Sequence, residues 1–289
     1  MHNNIYYSEK EEQKNVFAIH DISCVGRCST TVALPILSAV GYNTGILPTA
    51  LLSTHTGEFK NYFVHDLSDD IIPIAKHLQE VSLPLDAIYT GYLADAKQVD
   101  LIIEVFKMLK NKNTLIFVDP VFADHGKLYA MMTMAMVDKM RELITRADII
   151  VPNITEALFL LGENPILSDT GPENILRIAK DLSCFGPKKV IITGIYNESQ
   201  IGTFYLNNRT QEHGFVYNNK YDGIFHGTGD VFASALLAAI LKDCNFKKSL
   251  EIAVEFTSRS IEKTILGGDP LKYGVRFEQV LPWLVNTLV

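Results

Sequence analysis

The chain has 289 residues, 47% hydrophobic and 20% charged, with a formal net charge of −7. A chain of this size and composition can bury a large core, which excludes global disorder. The acidic balance and the lack of any Lys/Arg-rich run exclude nucleic acid as a principal partner, and the longest apolar run, 231–241, is too short to cross a membrane. Cys24, Cys28, Cys184 and Cys244 lack zinc-finger spacing and read as reduced thiols of a cytoplasmic protein. Residues 1–14 are polar, carry no signal-peptide core and read as a loosely ordered extension.

Residues 15–20 are an apolar run rich in strand formers that stops at Asp21. A loop of small and polar residues, 22–30, follows. Residues 31–40 have helical spacing, with Pro35 in the first turns and Gly41 as the stop. Residues 42–47 are the next strand and complete a βαβ unit. Then comes a hydroxyl-rich loop, 48–59, carrying Ser53, Thr54, His55 and Thr56. Loops at strand carboxyl ends are where open α/β sheets bind ligands; the same hydroxyls also suit local turns. Residues 66–81 and 95–109 are amphipathic helices around a strand, 85–92, that ends in Gly91 and Tyr92.

The apolar run 114–118 reads as a strand covered on both faces. It leads into Asp119-Pro120-Val121-Phe122-Ala123-Asp124. Residues 125–130 show no periodicity and read as a mobile connection before a helix at 133–146. A strand at 147–153 runs directly into a helix carrying Glu156. A helix at 173–183 and a strand at 189–194, ending in Thr193-Gly194, come next. Segments 200–206 and 211–217 alternate and predict an edge hairpin. Helices at 231–241, 250–266 and 277–288 complete the chain. The alternation predicts a three-layer α/β/α fold with a largely parallel central sheet, in one domain spanning 1–289.

The chemistry concentrates at Gly227-Thr228-Gly229-Asp230, which opens the last strongly apolar helix. A helix start built from small residues offers unpartnered N–H groups and the positive end of the helix dipole, suiting a phosphate or a developing oxyanion. Asp230 is the one group there able to take a proton. The four residues equally suit a turn in which Thr228 or Asp230 caps the helix. Asp119, Asp124 and Glu156 gather at predicted strand ends and together suit Mg²⁺, which binds through one or two carboxylates and substrate phosphates. Singly, Asp119 suits a turn before Pro120 and Glu156 a helix-dipole partner. No P-loop, G-x-G-x-x-G, H-E-x-x-H or G-x-S-x-G occurs. Phosphoryl transfer fits best.

These motifs carry a resemblance. The His20-Asp21 strand end with its Gly26 loop, Leu52-Ser-Thr-His-Thr-Gly57, Thr90-Gly-Tyr-Leu-Ala-Asp95, Asp119-Pro-Val-Phe-Ala-Asp124, Val151-Pro-Asn-Ile-Thr-Glu156, Ile192-Thr-Gly194 and Gly227-Thr-Gly-Asp230 follow the order found in the ribokinase-like superfamily. The set most resembles the pyridoxal/pyridoxamine kinase family. The resemblance implies ATP-dependent phosphorylation of the 5′-hydroxymethyl group of a B6 vitamer, in a cytoplasmic homodimer. It implies Asp230 as the base and Gly227, Thr228 and Gly229 as the anion cradle. Asp119, Asn153 and Thr193 would serve the nucleotide, while Asp119, Asp124 and Glu156 would serve Mg²⁺, with room for a monovalent cation such as K⁺. Asp21, Ser53, His55, Thr56 and Tyr92 would line the acceptor pocket, and residues 124–130 would form a flap over ATP. Three positions depart from the family pattern: Asp21 for a frequent serine, Val151 for a threonine, Ala123 for a glycine. These leave hydroxymethylpyrimidine kinase, or dual specificity, as the competing activity. A non-catalytic vitamin-binding protein is the competing class, against which stand the retained base and glycines.

Overall fold

β-Branched and aromatic runs form strands β1 (Asn15–Ser23), β2 (Asn43–Leu52), β3 (Val64–Asp66), β4 (Ala87–Thr90), β5 (Leu115–Val118), β6 (Ala123–Asp124), β7 (Lys127–Leu128), β8 (Ile149–Ile150), β9 (Lys189–Asn197), β10 (Gln200–Asn207) and β11 (His213–Asn219). The helices between them are α1 (Thr30–Ala39), α2 (Ser68–Val81), α3 (Ala96–Leu109), α4 (Met134–Ile144), α5 (Ile154–Leu161), α6 (Pro172–Ser183), α7 (Thr228–Leu241), α8 (Phe246–Gly267) and α9 (Leu281–Leu288). The computed structural model describes residues 13–165, 171–197 and 199–289. Most of the expected N-terminal extension, 1–12, lies outside the described residues. Lys14, at its end, bonds to the Leu241 carbonyl and is held in place.

Nine strands form one sheet in the order β11-β10-β9-β8-β5-β4-β1-β2-β3, and β6 pairs with β7 alone. The six strands from β9 through β2 run parallel, and antiparallel strands close both edges. Alternation along each strand feeds two cores. Phe17, Ile19, Ile88, Ile116, Val118 and Ile192 face α2 to α6. Val16, Ala18, Ala87, Tyr89, Phe117 and Ile191 face α1, α7, α8 and α9. This is the three-layer α/β/α sandwich expected from a period-2 pattern in buried parallel strands. β1 lies between β2 and β4, so the connections leave it in opposite directions. A crevice opens at its carboxyl end, where such sheets bind ligands.

Several elements differ from the sequence expectation. β1 continues to Ser23, past a register shift between His20 and Ile22. β2 runs on through Leu52, so Pro48 lies within a strand rather than a loop. It is tolerated because β3 covers β2 only from Ala50 to Leu52, leaving Pro48 where β2 is an edge. The 124–130 connection is a tight hairpin, β6–β7, whose two-residue turn puts His125 (φ 50°) and Gly126 (φ 75°) in the left-handed region. The C-terminal helix breaks into a 3₁₀ turn (Phe277–Gln279) and α9, because Pro282 starts a new helix more readily than it continues one.

Phe117 is fully buried at the centre of β5, edge-on to Tyr89 at 5.2 Å. Phe117→Ala leaves a cavity with no neighbour free to fill it. The expected cost is about 3–5 kcal/mol, read as a lowered urea midpoint.

Candidate active site

The start of α7 is shaped by a constraint that only glycine meets. Gly227 has φ 75°, and a Cβ there would overlap the Arg27 carbonyl oxygen. This brings the β1–α1 loop against α7. The Ser29 N–H then donates to Asp230 Oδ2 at 2.8 Å. No side chain caps α7, and none caps α1. Thr228 turns its hydroxyl to the Phe225 carbonyl (3.1 Å) instead. The capping alternative for Thr228 and Asp230 is therefore not what the chain adopts. Two uncapped helix starts meet at one carboxylate, and the space beside Gly229 is open. Such a recess suits an anion.

Asp230 is partly accessible, yet protein crowds it. Burial, reinforced by the charge of Asp21 and opposed by the Ser29 N–H, pushes its carboxyl up to about 7. Asp119, at the carboxyl end of β5, is buried, and among the described residues no donor reaches its carboxylate. Burial and the neighbouring Asp230 raise it well above the usual range. Glu156 is buried one layer deeper. Its Oε1 accepts from the Phe122 and Ala123 N–H groups (3.0 and 3.4 Å) and its Oε2 from the Asn153 N–H (2.8 Å). The Asn153 side chain returns the bond to the Glu156 N–H, a complete capping box. Burial and the Asp119 charge push Glu156 up despite these donors.

The expected three-carboxylate metal cage does not form. Among the described residues no three His, Cys, Asp or Glu side chains converge as ligands. Glu156 has both oxygens bound to backbone, and Asp124 is exposed on the hairpin, accepting from the His125 N–H at 2.7 Å. Asp119 alone has a carboxylate free of donors beside other negative charge, and such a group fits a hydrated Mg²⁺. Thr193 is brought to Asn153 by a single parallel bridge, its N–H donating to the Pro152 carbonyl at 3.0 Å. The hairpin tip is pinned by the Gly126 N–H to the Thr155 hydroxyl (3.0 Å).

The expected acceptor residues divide. Asp21 is buried at the β1 end, and burial raises its carboxyl against the pull of the Ser29 and Ser23 hydroxyls. Tyr92 stands beside it, its phenol pushed up to about 12 by burial and by Asp21. Thr56 is exposed and makes no side-chain bond among the described residues. Ser53 and His55 instead hold the loop. The Ser53 hydroxyl accepts from the Phe63 N–H (2.9 Å). His55 Nδ1 accepts from the Gly57 N–H (3.1 Å), which makes Nε2 the donor to the Lys272 carbonyl (2.5 Å). Burial lowers its pKa and favours this neutral form.

Sequence reasoning missed three groups. Ser29 acts through a backbone N–H, which leaves no mark on residue type. Tyr129 follows the hairpin, and its hydroxyl feels Glu156, Asp124, Asp119 and Asp230. Tyr89 lies under the site, edge-on to His20 at 4.4 Å, and its hydroxyl feels Asp230 and Asp119. The sequence put Tyr89 inside the 85–92 strand but could not show what its hydroxyl would face.

The family model described as phosphomethylpyrimidine kinase matches residues 37–272. The pyridoxal kinase of Sus scrofa is 30% identical, over 81% of this chain and 75% of its own. A Bacteroides thetaiotaomicron protein provisionally described as a phosphomethylpyrimidine kinase, crystallised with pyridoxal, superposes with a TM-score of 0.90 at 34% identity, covering 94% of this chain and 96% of its own. The pyridoxal kinase of Lactobacillus plantarum gives 0.88 at 27%, covering 95% and 97%. The chain belongs to the phosphomethylpyrimidine kinase family, among the pyridoxal kinases of the ribokinase-like superfamily.

The raised Asp230 has a consequence for stability. Its carboxyl titrates near 7 when folded and near 3.8 when unfolded. The folded state therefore holds the proton more tightly, and stability is lost as pH rises from about 4 to 7. The full loss is up to about 4 kcal/mol, reduced by the partial exposure of the group. Asp230→Asn should raise the melting temperature more at pH 8 than at pH 5; an equal gain at both would refute the assignment.

Proposed function

We propose that the chain transfers the γ-phosphoryl group of ATP to the 5′-hydroxymethyl oxygen of pyridoxal, pyridoxamine or pyridoxine, giving the 5′-phosphate and ADP. The observation that carries this reading is the Asp230 carboxylate, held at the uncapped start of α7 and tuned to about 7. A base with that pKa is about half ionised at neutral pH and accepts a proton effectively. Asp230 takes the hydroxyl proton as the oxygen forms its bond to phosphorus and the bond to the ADP oxygen breaks. The N–H groups of Gly227, Thr228 and Gly229 receive the charged oxygens, a fixed polar environment needing no reorganisation. Asp21 and Tyr92 orient the acceptor ring, with Thr56 at its edge. Asn153 and Thr193 border the nucleotide phosphates.

Bound Mg²⁺ would supply positive charge between the phosphates and the acidic cluster, held through Asp119 with Asp124 at the rim. Glu156 orders the Phe122–Ala123 backbone next to that place. The β6–β7 hairpin excludes water from above. In this proposal residues 1–289 work as one kinase domain, in the cytoplasm and as a homodimer, with no nucleic-acid or membrane partner. Among the described residues no helix is long and apolar enough to cross a membrane.

One observation favours a second acceptor. Asp21 stands at the β1 end, where a carboxyl suits the ring nitrogen or amino group of a hydroxymethylpyrimidine, and the family model bears that name. Turnover of pyridoxal, pyridoxamine and hydroxymethylpyrimidine, compared by kcat/KM, separates the two. Turnover of the pyrimidine alone would reject the B6 reading.

For the base, kcat/KM should fall below pH about 7 as Asp230 protonates, and Asp230→Asn should lower kcat about 10³-fold with ATP still bound. Wild-type-like turnover in that variant would remove Asp230 from the role. For the metal, Asp119→Asn should raise the Mg²⁺ concentration for half-maximal activity about tenfold, with and without K⁺. An unchanged titration would exclude Asp119 as the holder.

A further inference from the structure

The 53–63 loop and the turn that opens α7 lie far apart in sequence, and the His226 side chain joins them. His226 immediately precedes Gly227. Its Nε2 pairs with Glu58 Oε1 at 3.1 Å. Its ring covers Gly57, where a Cβ would come within 2.7 Å of His226 Cε1, so this close packing requires glycine. On its other flank stands the His55 ring, 5.1 Å away between centroids and tilted by 39°. His55 is a fixed wall, both nitrogens being bound to the chain at Lys272 and Gly57.

Glu58 reaches His226 from a left-handed backbone conformation, φ 62°, uncommon for a residue with a side chain. Lys272, beside this loop, extends its ammonium over the Phe59 ring at 5.2 Å, and the Glu58 carboxylate pairs with His226. His226 therefore connects the loop carrying Thr56 to the residue where the anion cradle begins.

We propose that His226 is a positioning residue: through Glu58 it fixes the 53–63 loop, and with it the acceptor, at a set distance from the cradle of residues 227–230. The inference rests on the reading of that loop as the acceptor side and of the cradle as the phosphate side. In-line transfer needs the attacking oxygen about 3–3.5 Å from phosphorus, and about 1 Å of slack costs roughly 10²-fold in rate. A link between the two parts limits that slack without touching either reactant.

The test is steady-state kinetics of three variants. His226→Phe keeps the ring over Gly57 and removes the pairing; Glu58→Gln keeps an acceptor and removes the charge. The third combines both. His226→Phe should raise KM for pyridoxal and lower kcat, each about tenfold, while KM for ATP stays within about twofold. Glu58→Gln should show the same split at smaller size. The double variant should be no worse than His226→Phe, since the two act as one unit. KM for both substrates rising together, or additive losses in the double variant, would overturn the proposal. Should His226→Phe fail to fold, the split in Glu58→Gln decides alone. If the wild type accepts only hydroxymethylpyrimidine, the B6 reading fails, and the same split measured with that acceptor still judges His226.

Discussion

The site depends on one close approach, that of Gly227 to the Arg27 carbonyl. Any Cβ at 227 would push the β1–α1 loop away from α7. With the loop in place, the Ser29 N–H reaches Asp230, and the starts of α1 and α7 open into the same recess. Arg27 is secured from behind, its N–H donating to the Tyr273 carbonyl at 3.0 Å and its guanidinium to Glu278 at 2.7 Å. A single αL glycine thus sets the spacing between two helix dipoles and the carboxylate they share. The arrangement places positive potential where negative charge must arrive, in a protein whose net charge is −7.

Beneath the recess the charges have the opposite sign. Asp230, Asp119 and Glu156 form a descending acidic series in which each raises the next. Glu156 is the most compensated, by three backbone donors against one on Asp230, and it functions as part of the scaffold. Asp119 has no such relief. An uncompensated buried carboxylate costs stability until a cation or proton meets it. Burial and the Asp230 charge therefore hold a proton on Asp119 more tightly than on a free carboxyl.

Most of the fold was legible because its cause is periodic. The apolar runs of β1, β5 and β9, the strand β4, helical spacing in α2 and α3, and the alternating edge hairpin β10–β11 all stand within a few residues of where the sequence puts them. The misses have local causes. Val64–Asp66 is too short to announce a strand, and Pro48 argues for a loop unless the exposed side of β2 is known. The hairpin at His125-Gly126 hides because histidine at positive φ has no strong sequence mark. Within the site, residue type and position pointed to Asp230 and Asp119, and the family resemblance pointed to Asp21. Ser53 and His55 were expected as substrate contacts from their place in a hydroxyl-rich loop, but residue type could not reveal that their polar atoms face the chain. Ser29 was beyond reach, since its contribution is an amide any residue possesses.

The segment around Lys272 and Tyr273 bears on how the molecule is made. Its carbonyls hold His55 and Arg27, contacts that span 217 residues in the first case, while the Ser29–Asp230 bond spans 201. The parallel strands β1, β2, β4 and β5 need only the first 118 residues. During synthesis the sheet's centre can therefore assemble long before the recess does. Closing such long loops is slow, because chain entropy is lost before the contacts that offset it are made. The nascent chain can accordingly hold a formed half-sheet before the recess at the start of α7 exists. Its unpaired β5 edge is open throughout that stage and is the point at which misassembly threatens.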